Sequence, residues 1–240
     1  MLSCSHVLCK VDDIRSVVRD YQDLGFTVEW GSAPERAHNA LLWFERGPFI
    51  EFFQLPPAFR LLKWPMSAVN GVAAGDRLAR WARPGEGWRD LALETETTGL
   101  RGAHRALRVG GSPVSRVMKG RRTRPDDVRV RYEFLATRPA RLPFVVSAYD
   151  PPQRPAQVRH PNGATHISAV RLGIADRDRA AFDALAGHLT EAGPLRVEQA
   201  PHTGVIDVEL AGLDGHLDSS KLHGAAFSAA VPPSPARSVG

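Results

Sequence analysis

Two polar residues stand in apolar strands of this chain. The run "GPFIEFFQL" carries one carboxylate, Glu51, and the run "SHVLCKV" carries one imidazole, His6. Successive strand residues point to opposite faces, so Glu51 shares its face with Phe49 and Phe53, and His6 shares one with Cys4 and Leu8. A buried ionised carboxylate needs a partner. Neutral imidazole and carboxylate together are donors for divalent metals such as Zn, Fe, Mn or Ni. The bland alternative is that Glu51 pairs with one of the many arginines and His6 is a satisfied core histidine.

Other chemistries find no support. There is no GxSxG, Walker loop, HExxH or paired CxxC in the sequence. The formal net charge is +5, and hydrophobic residues make up 43% against 24% charged, a balance ordinary for a folded domain. No stretch alternates Lys/Arg with aromatics as single-strand binders do, so a nucleic-acid partner is not expected. The densest basic cluster, "KGRRTRPDD", reads as a solvated hairpin. Cys4 and Cys9 are expected as reduced core residues on opposite faces of one strand, and with no apparent signal peptide the expected location is cytoplasmic. No segment is apolar and long enough to span a membrane.

Strands, helices and turns must position these residues. The first strand is followed by an Asp12/Asp13-capped helix over "IRSVVRDYQDLGF", closed by a left-handed Gly25, and by strands "FTVEWG", "NALLWFER" and "PFIEFFQL". This gives a first βαβββ module over residues 1–57 and a connector over 58–84 with a helix near "GDRLARWAR". A second βαβββ module follows over 85–152, in which "LPFVVSAYDPP" repeats "GPFIEFFQLPP". A partial third βαββ repeat spans 153–212, and the Gly-, Ala-, Ser- and Pro-rich tail, 213–240, is expected to be disordered. The fold class is therefore α+β, with paired modules.

Several segments resemble the vicinal-oxygen-chelate superfamily and its glyoxalase-like branch. They are "SHVLCKVDDIRSVVRDYQDLGFTVEWG", "HNALLWFERGPFIEFFQL", "RPDDVRVRYEF…LPFVVSAYD" and "RHPNGATHISAVRLGI", from the N-terminus to Ile174. The resemblance implies two βαβββ modules whose sheets form an open cup, often holding a divalent metal on His and Glu ligands. It implies His6 and Glu51 as half of a ligand set, with Glu51 also catalytic. Aligning "DLALETE" with "HVLCKVD" adds Asp90 as a ligand, whereas Val146 stands opposite Glu51 and cannot ligate. The alternative set draws on His166 and Glu209 or Asp207 from the third repeat. Asn39, Arg124, Trp43 and Tyr149 are candidate substrate-binding residues. The implied function is a metal-dependent lyase, isomerase or oxygenase acting on a small oxygen-bearing molecule. The alternative is a metal-free binding or resistance-type protein. Modules can pair within one chain or across a homodimer.

Overall fold

The computed structural model describes residues 1–190 and 193–230. The first module runs β1 (Leu2–Val11), α1 (Ile14–Asp23), β2 (Glu29–Trp30), β3 (Asn39–Leu42) and β4 (Phe49–Gln54). Helix α1 starts where the Asp13 carboxylate accepts from the Arg15 amide at 2.9 Å and from the Ser16 hydroxyl at 2.8 Å. It buries Ile14, Val17, Val18 and Tyr21, the stripe that its sequence spacing predicts. Gly25 then takes φ +79°, the left-handed cap that a side chain would strain.

The connector forms a 3-10 turn, then α2 (Lys63–Asn70) and α3 (Val72–Trp81). The second module runs β5 (Gly87–Thr95), α4 (Arg101–Val109), β6 (Met118–Thr123), β7 (Arg129–Leu135) and β8 (Phe144–Val146). One eight-stranded sheet joins the modules in the order β2-β3-β4-β1-β5-β8-β7-β6. Its central seam is the antiparallel pair β1–β5, and each module's last strand lies parallel to its first. This is the curled, cup-shaped sheet that the resemblance implies.

The remaining strands, β9 (His166–Ile174), β10 (Leu195–Gln199), β11 (Gly204–Ala211) and β12 (Phe227–Ala229), with helix α5 (Arg179–Ala186), build a separate four-stranded sheet. Its order is β10-β9-β11-β12, so the first strand is interior and pairs with its second and third strands. It therefore does not copy the other two modules. Its Val170, Leu172, Val208 and Leu210 share one apolar cluster with Val7, Cys9, Val11 and Tyr21.

The part of the expected tail that is described is packed rather than free. Leu217, Leu222 and Ala225 are buried, and β12 pairs with β11. Residues 231–240 lie outside the described residues. A second difference concerns the cysteines. A register shift between Cys4 and His6 breaks strand alternation at Ser5, and Cys4 packs against the same core cluster as Cys9.

Candidate functional site

Between the two halves of the large sheet lies a cavity of about 170 Å³. Module one supplies His6, Leu8, Asn39, Leu41, Phe49, Glu51 and Phe53, and module two supplies Arg122, Tyr132, Phe134, Phe144 and Val146. Trp81 from α3 and Tyr149 and Gln153 from the chain after β8 complete it. A larger groove, about 1090 Å³, runs along the β6–β7 hairpin, shares Arg122 and Tyr132 with this cavity, and holds none of His6, Glu51 or Asn39.

The polar centre is built from adjacent strands. In the parallel β1–β4 pair, His6 lies opposite Phe49 and Leu8 opposite Glu51. His6 is 2% exposed and its ring stacks on Phe49 at 4.6 Å between centroids. Burial and then the Arg122 charge hold its pKa down at about 3, so it is neutral. The Ser5 hydroxyl donates its only hydrogen to Glu94 at 2.6 Å. Ser5 Oγ can therefore only accept at its 3.0 Å contact with His6 Nδ1, which places the imidazole hydrogen there. Nε2 is left as a lone pair, and it faces Glu51 Oε2 at 3.5 Å.

Glu51 is oriented by Asn39, whose Nδ2 donates to Oε1 at 2.8 Å. Asn39 in turn needs Gly31, because a Cβ there would stand 1.9 Å from Asn39 Oδ1. Burial raises the Glu51 pKa, opposed by the Asn39 bond and the Arg122 charge. The pair thus presents two acceptors to each other with no hydrogen between them, at a distance too long for a direct bond. Such a pair is a seat for one positive charge: a proton, a ligand's hydroxyl hydrogen, or a cation.

The structure brings together His6, Glu51, Asn39 and Tyr149. It does not bring in the others. Trp43 packs under Phe49 at 4.1 Å and lies beneath the Arg154 guanidinium, outside the cavity lining. Arg124 lies outside the cavity lining and pairs with Asp126 at 2.7 Å. Asp90 is consumed by Arg77 and Trp81 Nε1, with its other oxygen accepting from the Leu91 amide at 2.9 Å. His166 contacts Arg46, Glu209 accepts from Ser168, and Asp207 accepts from Ser228, all outside the cavity.

The register also corrects the repeat alignment. His6 is to Phe49 as Ala92 is to Phe144, so Ala92, not Asp90, is the counterpart of His6. Glu51 has Val146 as its counterpart, two residues beyond that phenylalanine on each strand. Module two thus offers no ligand at either position. Among the described residues no group of three or more His, Cys, Asp or Glu is placed to hold a metal. A resident ion needs three or four protein donors. The pair His6 and Glu51 is two, with the positively charged Arg122 nearby. The donor set does not fit a resident metal.

Residues missed from the sequence include Arg122, Trp81, Gln153 and the aromatic wall Tyr132, Phe134 and Phe144. Arg122 belongs to the cluster read as solvated. Strand alternation could have separated it: β6 exposes Lys119, Arg121 and Thr123 and turns Met118, Gly120 and Arg122 inward. Its Nη1 donates to the Gly31 carbonyl at 2.6 Å and its Nη2 to Gln153 Oε1. Gly120 lets the Tyr132 ring lie across the strand, since a Cβ would come within 2.2 Å of that ring.

Comparison with known proteins places this geometry. The family model described as a glyoxalase-like domain matches residues 4–188. No curated protein matches the sequence. Among solved structures, a hypothetical protein from Staphylococcus aureus superposes with a TM-score of 0.67 at 12% identity, covering 96% of this chain and 100% of that one. The Mn(II)-bound glyoxalase from Novosphingobium aromaticivorans gives 0.51 at 12% identity, covering 92% and 67%. The 2,3-dioxygenase LapB from Pseudomonas sp. KL28 gives 0.51 at 8% identity, covering 89% and 75%. At these identities the likeness is one of fold.

Proposed function

The chain belongs to the glyoxalase-like domain family, and from that premise we propose that it is an enzyme moving a proton on a small oxygen-bearing molecule held in the cavity. Glu51 takes and returns the proton, and His6 Nε2 accepts a hydrogen from the substrate's hydroxyl or enol. One observation carries this reading: two oriented acceptors, His6 Nε2 and Glu51 Oε2, face each other at 3.5 Å in an aromatic-walled cavity.

The chemistry follows from the environment of each group. A carboxylate whose pKa is raised by burial is a stronger base than one in water, closer to the operating pH. Asn39 holds it in one orientation, which removes a reorganisation cost at the moment of transfer. His6 stays neutral and keeps its tautomer through the Ser5–Glu94 chain. Isomerase and lyase reactions that pass through an enol or enolate fit such a pair.

The test is exchange of substrate C–H hydrogens into deuterated water, followed by NMR over a panel of small hydroxyketones and oxo acids. Exchange is expected with protein stripped by chelator, and loss of about 100-fold or more is expected for Glu51→Gln. Exchange absent across the panel, or equal in the variant, refutes the reading.

A second reading rests on the same two lone pairs. Ligand atoms about 2.1 Å from one ion can stand about 3.5 Å apart, so the pair could hold a divalent ion whose remaining ligands come from the substrate. Metal analysis of protein purified without chelator separates the two. Metal retained with substrate present, and lost in His6→Gln, favours this reading; proton exchange that survives the chelator favours the first.

A further inference from the structure

Arg122 is a cation with an incomplete set of partners. It stands half-buried at the wall of the cavity, on the inward face of β6. Among the described residues no carboxylate comes within 4.0 Å of it. The groups it does bond, the Gly31 carbonyl and the Gln153 amide oxygen, are neutral. Of the five guanidinium hydrogens, the two that make these bonds fix the plane of the group, and three remain. Its neighbours on the cavity side are Glu51, Tyr132 and Tyr149.

The contrast with Arg77 shows how unusual this is in the same molecule. Arg77 is 2% exposed and has Asp90 as its counter-ion, with Thr137 and the Leu142 carbonyl taking further hydrogens. Arg124, two residues beyond Arg122, is paired with Asp126. An arginine withdrawn from water is costly without a negative charge. At Arg122 no carboxylate of the described residues is in contact; Glu51, which lines the same cavity, acts on it only from beyond 4.0 Å.

We propose that the ligand of the cavity is a small carboxylate, whose anion rests on Arg122 and whose hydroxyl or oxo group reaches the His6–Glu51 pair. This rests on the reading of that pair as the reacting centre. A single unpaired guanidinium balances a single negative charge and presents hydrogens in the fork that a carboxylate matches. The walls define the rest of the ligand. Phe49, Phe53, Trp81, Phe134 and Phe144 favour a flat, unsaturated or aromatic body. A volume of about 170 Å³ restricts it to a few atoms beyond one ring. Arg122 is therefore a specificity-determining residue, placed opposite the proton-handling side.

The experiment is calorimetric titration of the full chain with three single-ring probes, an anion with an ortho hydroxyl, a neutral amide and a cation: 2-hydroxybenzoate, benzamide and benzylamine. The expected order is binding of 2-hydroxybenzoate, weaker binding of benzamide and none of benzylamine. Arg122→Gln is expected to weaken 2-hydroxybenzoate about 10- to 100-fold, and Arg124→Gln to leave it unchanged. Arg122→Lys, which keeps the charge but loses the fork, is expected to fall between. Glu51→Gln is expected to bind the anion as well as the parent protein or more tightly, since a like charge is removed. Anion binding that persists in Glu51→Gln while exchange stays absent in the parent protein therefore condemns the proton reading alone. Equal affinity for benzamide and 2-hydroxybenzoate, no binding of any probe, or an unchanged affinity in Arg122→Gln overturns the anion proposal. Should Arg122→Gln fail to fold by circular dichroism, probe selectivity in the parent protein and in Arg122→Lys decides the matter.

Discussion

Module one and module two occupy the two halves of one sheet and follow the same order of elements, but they use their inward faces differently. In module one the cavity-facing strand positions carry His6 and Glu51. In module two the same positions carry Ala92 and Val146. The polar groups of module two lie behind the wall instead. Asp90, Arg77 and the Trp81 indole form a buried network in which α3 of the connector is pinned into the cup. The connector supplies both the cation of this network, Arg77, and a wall residue, Trp81. The difference teaches that a repeated frame does not repeat its chemistry. One half holds reactive groups apart from partners, and the other satisfies its charges and acts as a wall with one anchor, Arg122.

The largest test of this comparison removes the satisfied charge. Arg77→Ala leaves Asp90 buried without a counter-ion and should cost about 3–5 kcal/mol, read as a drop in urea midpoint. A loss below about 1 kcal/mol would mean that the network is not what holds α3 in place.

The next test gives module two the ligand it lacks. Val146 is 1% exposed and faces the cavity, so Val146→Glu should destabilise the chain by about 2–4 kcal/mol through a buried charge. Mn or Zn should recover much of that loss in the variant and little in the parent, because the new carboxylate makes a third donor beside His6 and Glu51. Equal thermal shifts in both proteins would show that the missing ligand does not matter.

A third test uses pH. His6 has a folded pKa held near 3, below its unfolded value of 6.5. Its contribution is fully present above pH 6.5 and is lost as pH falls through the window toward 3. His6→Gln should therefore flatten the acid limb of the stability curve, by on the order of 3 kcal/mol between pH 6.5 and 4. An acid limb of equal slope in both proteins would refute a buried neutral imidazole.

Glu51 has the opposite sign. Its folded pKa is raised, so folding is penalised as pH rises through that value. Glu51→Gln should then gain about 1 kcal/mol at pH 8 while losing turnover, the trade expected where a site stores a cost for function. A destabilised variant would show that the carboxylate is paid back in the resting protein. Smallest of all, Arg124→Ala should change stability by less than about 0.5 kcal/mol, since its partner Asp126 is exposed.

Much of this was legible from residue spacing. The Asp-capped helix, the left-handed Gly25 and the alternation of β1 and β4 follow from local rules, whereas His6, Glu51 and Asn39 were placed in a cup only by the family resemblance. Asp90 could not be excluded that way. It shares parity with Ala92 on β5, and only the pairing of Ala92 with Phe144 shows which is the counterpart of His6. The bulge at Ser5 likewise leaves no mark in the sequence, yet it turns both cysteines to one core. Arg122 was hidden by its neighbours: net charge along "KGRRTR" describes the outer face of the hairpin and says nothing of the one arginine facing in. Strand β12 was hidden by composition, because Ala and Ser carry little side-chain signal and the edge of β11 supplies the pairing.

The packing of residues 217–229 has a consequence for how the chain is made. The Tyr21 hydroxyl donates to the Leu222 carbonyl at 3.3 Å, Lys221 meets Asp23 at 2.8 Å, and the His223 ring bridges Asp20 at 2.8 Å and Glu86 at 3.2 Å. At the other end of β1, the Leu2 amide donates to the His188 carbonyl at 2.8 Å. Helix α1 and the start of β1 are therefore fastened by residues more than 180 positions later in the sequence. Part of the apolar cluster behind α1 and the strand bearing His6 comes from β9 and β11, so that cluster is complete only when these later strands pack. Contacts of such long sequence separation slow folding, and the nascent first module is the stretch on which a chaperone would act.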